Sequence, residues 1–248
     1  TDITLPSRGA FYGPNSVVPT PALPGGVVAI RQMRVAEEEH LATAGGDVIA
    51  KIAKIIEAVT RLPAGFRPDQ LLVTDRLFIM IALRRITFGP NYPVTFRCDE
   101  CGANNREVID VVQELNEKAA ADDASEPVLV DLPDAGKRIG LRFFRGFDEL
   151  EAARDARRAE ARGQPQTPVS ARLMRQIVEI DGDDSINAFA KKDLVAQMTA
   201  ADSARVRKTM LDAETGIDLT LYQPCAKCGA VNEFDMPFTA EFFRPTDL

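Results

Sequence analysis

The chain has 248 residues, enough to bury a sizeable core, and its 45% apolar content argues against wholesale disorder. A formal charge of −7 argues against broad nucleic-acid binding, because neutralising phosphates requires a basic face. The longest apolar run, residues 77–83, is far shorter than the roughly 20 residues of a membrane span, so it predicts a buried helix. No secretory signal opens the sequence, and synthesis in a cytoplasm is expected.

The first 35 residues are rich in proline and glycine and show no helical period. Phe11 and Tyr12 within this segment suggest an extended arm, residues 1–35, that docks through aromatic anchors. A neighbouring subunit would supply the surface that the arm lacks. A flexible leader with chance aromatic residues is the alternative. A short strand is predicted at 27–30.

A helical pair is predicted within residues 36–90. Apolar side chains recur at i, i+3, i+4 and i+7 over 47–61, which is typical of an amphipathic helix. A second helix begins near Thr74 and ends around Arg85, before Gly89-Pro90. The apolar faces of the two helices need each other.

The rest of the chain alternates between short strands and helices, which indicates an α+β fold. The predicted elements are strands at 94–96 and 108–111, a hairpin of 128–130 with 139–144, helices at 148–162, 168–180 and 199–216, and a strand at 217–221. The helix at 148–162 has little to bury, so it is either exposed to solvent or covered by a partner chain. An aromatic tail, residues 238–248, is expected to pack on another surface.

Two cysteine segments form an internal repeat with the shared pattern C-x-x-C-G-A-x-N. The first contains Cys98 and Cys101, and the second contains Cys225 and Cys228. Two thiolates in one tight turn can bind one face of a tetrahedral Zn²⁺, and the glycine that follows supplies the positive φ of such a turn. Each turn is therefore predicted to be half of a metal site.

A structural zinc ion takes four ligands, so the two turns should meet on one ion. Cys101 and Cys225 are 124 positions apart. Closing such a loop costs on the order of 4 kcal/mol, whereas structural zinc supplies roughly 10–16 kcal/mol. The sequence thus predicts a split zinc-ribbon module, residues 91–115 and 217–237, interrupted by an α+β insertion, residues 116–216.

Two other interpretations of the cysteines are a pair of redox sites and a pair of disulfides. Redox C-x-x-C pairs normally sit at a helix N-terminus, whereas these turns lie between strand-like segments. A reducing cytoplasm disfavours disulfides. A structural zinc site is the preferred interpretation, and its four thiolates leave no open position for a substrate.

Motifs for catalysis are weak, and the chain is predicted not to be an enzyme. His40 is the only histidine, so a Ser-His-Asp triad or a histidine metal helix has little support. The acidic run that begins at Asp181 lacks the glycine and glutamate of a calcium-binding loop, with Ile186 and Lys192 in those places. A hydrolase that uses carboxylates alone stays open as an alternative.

The ordered set of motifs resembles the baseplate hub, or hub assembly, protein family of T-even-like contractile-tailed bacteriophages. The resemblance thins between about 116 and 165. The segments that carry it are 5–12 (LPSRGAFY), 30–33 (IRQM), 37–41 (EEEHL), 74–78 (TDRLF), 82–89 (ALRRITFG), Tyr92, both cysteine turns, 216–220 (GIDLT) and 239–245 (TAEFFRP).

This resemblance implies a structural component of the tail baseplate that holds hub, spike or wedge subunits together and is located in the virion after assembly in the host cytoplasm. Association with further copies of itself is compatible with that role. A transient hub assembly chaperone is the alternative. A zinc-ribbon protein that binds nucleic acid is disfavoured, because acidic residues outnumber basic ones around the cysteines. The acidic residues are Asp99, Glu100, Glu107, Asp110, Glu233 and Asp235, and the basic ones are Arg97, Arg106 and Lys227.

Overall fold

Short antiparallel sheets and seven α-helices make up the described part of the chain, residues 1–43, 48–238 and 242–243, in a computed structural model. In chain order the elements are β1 (Asp2–Thr4), β2 (Val27–Ile30), α1 (Val35–Ala42), α2 (Val48–Val59), β3 (Thr60–Arg61), α3 (Val73–Phe88), β4 (Asn91–Arg97), β5 (Asn104–Asp110), β6 (Asn116–Lys118), β7 (Val128–Leu132), β8 (Lys137–Leu141), α4 (Gly146–Ala161), α5 (Pro168–Gln176), β9 (Ile177–Ile180), α6 (Ala188–Gln197), α7 (Ala200–Ala213), β10 (Gly216–Asp218), β11 (Thr220–Pro224) and β12 (Val231–Asp235).

The strands pair mainly with partners that are close in sequence. β1, β2 and β3 form one three-stranded sheet, and β7, β8 and β9 form another. β4 pairs with β5 and β11 pairs with β12, so each cysteine turn lies at the tip of its own antiparallel hairpin. The mixed α and β composition agrees with the sequence prediction. None of the helices in the described ranges combines the length and apolar composition needed to cross a membrane.

Helix α3 separates two hydrophobic clusters. Ile79 and Leu83 face the larger cluster, here called the body core, to which the N-terminal arm, α2, the β7–β9 sheet and α7 also contribute. Ile81 faces the smaller cluster, here called the hairpin core. Apolar residues around most of the circumference of α3 are expected for a helix that is buried on several sides.

The N-terminal arm packs on its own chain, which differs from the expectation that it docks on a neighbour. Leu5 is 0% exposed and Phe11 is 2% exposed, and both belong to the body core. The Tyr12 hydroxyl donates a hydrogen bond to the Asp75 carboxylate at 2.6 Å and accepts one from the Leu72 amide at 2.8 Å. The arm therefore completes the apolar surface beside α3, and its aromatic anchors are used within the chain.

A buried ion pair also holds the arm. The Arg145 guanidinium donates to the Phe11 carbonyl at 3.0 Å and to the Glu126 carboxylate at 2.9 Å. The side chains of Arg145 and Glu126 are 0% and 2% exposed. Breaking such a pair leaves an uncompensated buried charge, so these contacts fix the path of the arm.

The predicted insertion leaves the hairpin region and returns to it at one place. Strand β6 pairs with β10, so Asn116 lies opposite Asp218 and Lys118 lies opposite Gly216. This short sheet brings together segments about 100 residues apart in sequence. The two cysteine hairpins are consequently held near each other by protein contacts as well as by any ligand of the thiols. Between β6 and β10, the chain contributes Val130, Ile139 and Met210 to the body core.

One element type in this segment differs from the sequence prediction. The predicted helix at 168–180 ends at Gln176, and Ile177–Ile180 forms strand β9 beside β8. Ile177, Val178 and Ile180 are β-branched, which favours a strand, and β8 offers an open edge with which they can pair. Apolar spacing in so short a segment fits either structure.

Candidate metal centre

Both cysteine turns have the same backbone geometry. In the first, the Cys98 amide donates to the Ala103 carbonyl at 2.8 Å and the Gly102 amide donates to the Cys98 carbonyl at 2.9 Å. In the second, the Cys225 amide donates to the Ala230 carbonyl and the Gly229 amide to the Cys225 carbonyl, both at 2.8 Å. The glycines have φ values of 68° and 75°, a region that favours glycine, as the repeat predicts.

The structure brings the four predicted ligands together. All four Sγ atoms lie within 4.8 Å of one another. The Sγ atoms of Cys98 and Cys228 are 3.7 Å apart, and those of Cys101 and Cys225 are also 3.7 Å apart. Thus each close contact joins one hairpin to the other.

These distances fit a four-sulfur metal site. A tetrahedral ion with metal–sulfur bonds of about 2.3 Å places its ligand sulfurs about 3.8 Å apart. A disulfide would need a separation of about 2.05 Å, and all four cysteines are free thiols. The donor set and its spacing are therefore compatible with a metal ion such as zinc, which Cys98, Cys101, Cys225 and Cys228 would hold.

The electrostatics of the cluster favour a cation at its centre. The backbone amide of Cys228 is the main cause that lowers the pKa of the Cys225 thiol to about 6. The Ala230 amide lowers the pKa of the Cys228 thiol. Hydrogen bonds with the neighbouring thiols, mainly that of Cys101, and desolvation have the larger, opposite effect, and the pKa of Cys228 is raised to about 12. Without a cation, the cluster does not readily become four thiolates, because neighbouring negative charges repel each other.

The second cysteine of each turn is more exposed than the first. Cys98 and Cys225, the first cysteines of each turn, are both 2% exposed, whereas Cys101 is partly exposed and Cys228 is exposed. An ion could enter from the side of Cys228. Once four thiolates were bound, no coordination position would remain for water or substrate, so the arrangement suits a structural role.

Aromatic packing behind the thiols supports the contact between the hairpins. The rings of Phe96 on β4 and Phe234 on β12 are stacked, with centroids 4.8 Å apart and an interplanar angle of 24°. Tyr92 packs edge-on against Phe242 at 5.0 Å and donates its hydroxyl to the Pro237 carbonyl at 2.7 Å. Phe242 is 0% exposed, so this described part of the predicted aromatic tail lies in the hairpin core. Residues 239–241 and 244–248 of that tail lie outside the described ranges.

Sequence reasoning gave no role to Asn105 and Asn232, which also belong to the centre. The Asn105 Oδ1 accepts a hydrogen bond from the Ala226 amide, and the Asn232 Oδ1 accepts one from the Asp99 amide, both at 3.0 Å. Each asparagine thus contacts the opposite turn. The signal was present in the repeat itself, because the last position of C-x-x-C-G-A-x-N is the same in both copies.

The acidic run that begins at Asp181 has a different role from the cysteines. The Asp181 carboxylate accepts hydrogen bonds from the Lys137 ammonium at 2.6 Å and from the Arg138 amide at 2.9 Å. Asp183 accepts a bond from the Ser185 hydroxyl at 2.6 Å. The Asp181 contacts hold the turn after β9 against β8, and the Asp183 contact lies within the turn.

A family model described as T4 bacteriophage base plate protein matches residues 16–244. The chain belongs to this family. The match includes both cysteine hairpins and the whole segment between them, where the resemblance seen in the sequence is thinnest. Family membership indicates a baseplate protein that associates with other tail baseplate proteins. Comparisons with curated proteins and with solved structures found no match.

Proposed function

We propose that this chain is a non-enzymatic structural protein of the hub region of a contractile phage tail baseplate, in which a four-cysteine zinc site fastens two parts of the fold together. The observation that carries the proposal is the meeting of four thiols in a chain that matches a baseplate family over residues 16–244. A bound ion would stabilise the particular arrangement of the two hairpins.

Zinc is the metal that this donor set favours. Four thiolates at tetrahedral spacing suit zinc or iron, and zinc has no redox chemistry that would disturb a purely structural site. The free energy of structural zinc binding, roughly 10–16 kcal/mol, exceeds the loop-closure cost of about 4 kcal/mol. The β6–β10 pair reduces that cost further, because it already holds the ends of the long segment together.

Contacts with neighbouring subunits need surfaces other than the N-terminal anchors, which are buried in this chain. Several large apolar side chains on helices are exposed, among them Phe189 on α6 at 79% and Leu211 on α7 at 69%. A baseplate subunit that covered such side chains would remove apolar surface from water, which would stabilise the contact. This exposure supports a role in assembly.

Composition analysis of purified phage particles tests the structural role. Quantitative mass spectrometry of particles from the phage that encodes this chain is expected to find it at a fixed ratio to other baseplate subunits. Its absence from mature particles, together with its presence in isolated assembly intermediates, would contradict the proposal and favour a transient hub assembly chaperone.

A further inference from the structure

The two asparagines of the cysteine repeat make a reciprocal set of contacts. Asn105 lies four positions after Cys101, and Asn232 lies four positions after Cys228. Their side chains are buried, at 6% and 5% exposure. Within its own turn, each carboxamide donates to a carbonyl, Asn105 to Ala103 at 3.1 Å and Asn232 to Ala230 at 2.9 Å.

The carboxamide oxygens cross to the other hairpin. The Asn105 Oδ1 accepts from the amide of Ala226, the residue after Cys225. The Asn232 Oδ1 accepts from the amide of Asp99, the residue after Cys98. Each asparagine is therefore hydrogen-bonded to a carbonyl at the end of its own turn and to an amide at the start of the opposite turn.

We infer that Asn105 and Asn232 are positioning residues that hold the two half-sites at the thiol spacing of a tetrahedral metal ion. This inference rests on the proposed metal-binding function. Equivalent positions of the two turns make the two crossing bonds, and equivalent positions likewise make the two thiol contacts of 3.7 Å. A fixed distance between the turns reduces the reorganisation that metal binding would otherwise require.

Asparagine is the side chain that satisfies both ends of this connection. Its short carboxamide offers a donor and an acceptor at once, whereas aspartate of the same shape offers acceptors only. Aspartate would also place a negative charge beside a site that already holds four thiolates. An asparagine that served only to close its own turn would not need its oxygen aligned with the opposite hairpin.

Metal titration of the full chain tests this inference. Asn105→Ala, Asn232→Ala and the double variant are compared with wild type by anaerobic Co²⁺ titration, followed through the thiolate–cobalt absorption bands, and by Zn²⁺ competition with a chelator. Each single variant is expected to lose about tenfold or more in metal affinity, the usual effect of removing a group that orients a metal ligand. The two losses should be similar, and the double variant should lose more.

Asn104→Ala is the matched control, because Asn104 is exposed on the same strand and should leave metal affinity unchanged. Asn105→Asp and Asn232→Asp preserve side-chain shape and serve if an alanine variant does not fold. They should weaken metal binding at least as strongly as alanine. The thermal unfolding of the metal-free variants should stay close to that of metal-free wild type, which separates positioning of ligands from general stability.

The outcomes distinguish this inference from the function on which it rests. If wild type binds neither Co²⁺ nor Zn²⁺, the proposed metal site itself is wrong. If wild type binds metal and the asparagine variants bind it with the same affinity and the same absorption bands, the metal site stands and the positioning role is overturned.

Discussion

The body and the pair of cysteine hairpins are stabilised in different ways. The body core collects apolar residues from the arm, four helices and two sheets around α3. The hairpin core is smaller and rests on two-stranded sheets, which are marginal in water without further support. Hydrophobic burial is extensive in the first region, whereas the second combines a small apolar core with four clustered thiols, which we propose to bind a cation.

This difference shows how a chain can join a hydrophobic domain to a cluster of four thiols without separating them in space. Helix α3 contributes to both cores, and β4 begins three residues after the helix ends at Phe88. The position of the first cysteine turn is therefore determined by the body. The second turn returns to it through the β6–β10 pair.

Loss of one thiol should cause the largest loss of stability, and the hairpins should be the region that is destabilised. Cys101→Ser or Cys228→Ser is expected to lose bound zinc and several kcal/mol of stability, since three ligands hold the ion poorly. Measurement of the zinc content checks the loss of metal. Hydrogen exchange is expected to be rapid over 91–110 and 220–235 while α2 and α3 stay protected. Lys227→Ala, an exposed change in the same turn, is the control. A cysteine variant that keeps its zinc and melts like wild type would contradict the distinction between the regions.

A cavity in the body core should instead destabilise the body and leave the metal content unchanged. Phe11→Ala removes a side chain that is 2% exposed, and the ring of Phe143, 4.9 Å away, loses its partner. A loss of about 3–5 kcal/mol is expected from denaturant unfolding, with the metal content unchanged. Asn15→Ala, at an exposed position of the arm, should have little effect. An unchanged stability in Phe11→Ala would mean that the arm does not pack on its own chain.

The stacked rings between the hairpins should contribute less. Phe96→Ala and Phe234→Ala, combined in a double-mutant cycle, are expected to reveal a coupling of about 1 kcal/mol, since an aromatic pair adds roughly 0.5–1.5 kcal/mol beyond area burial. Tyr222→Ala, on the exposed side of β11, serves as the control. A coupling of zero would show that this pair of rings does not help to hold the hairpins together.

The smallest effect is expected from acid titration of Glu37 in α1. A hydrogen bond from Arg31 is the main cause that lowers the pKa of Glu37 to about 2, from its usual 4.5. Because the folded pKa is depressed, ionised Glu37 stabilises the fold above about pH 4.5, and this contribution is lost as the pH falls through about 2. Glu37→Gln should thus be less stable than wild type at neutral pH.

Urea unfolding at several pH values measures this difference, which should shrink as the solution becomes acidic. Glu39→Gln changes an exposed residue of the same helix and is the matched control. A difference between wild type and Glu37→Gln that is constant with pH would exclude the Arg31 pair as its cause.

Periodicity and motif spacing predicted the parts of the fold that depend on local sequence. The spacing of Ile52, Ile55, Ile56 and Val59 predicted α2, and the predicted hairpin of 128–130 with 139–144 corresponds to β7 and β8. The cysteine repeat predicted that distant turns meet. Helix α6 was missed because its sequence has almost no apolar period, and the Asn187 side chain that caps it gives only a weak signal.

Other features could not be read from local pattern because they depend on which surface is available in three dimensions. Phe11 and Tyr12 indicated an arm that docks, but only the fold shows that α3 and Asp75 of the same chain receive it. Strand β9 forms because β8 has a free edge beside Ile177. The oxygens of Asn105 and Asn232 likewise acquire their partners only when the hairpins meet.

Zinc content combined with X-ray absorption spectroscopy of anaerobically purified protein tests the central claim most directly. One zinc ion per chain with four sulfur ligands at about 2.3 Å is the predicted result. Protein that is folded and free of metal, or zinc bound through fewer sulfurs, would contradict the claim that both hairpins close on a single ion.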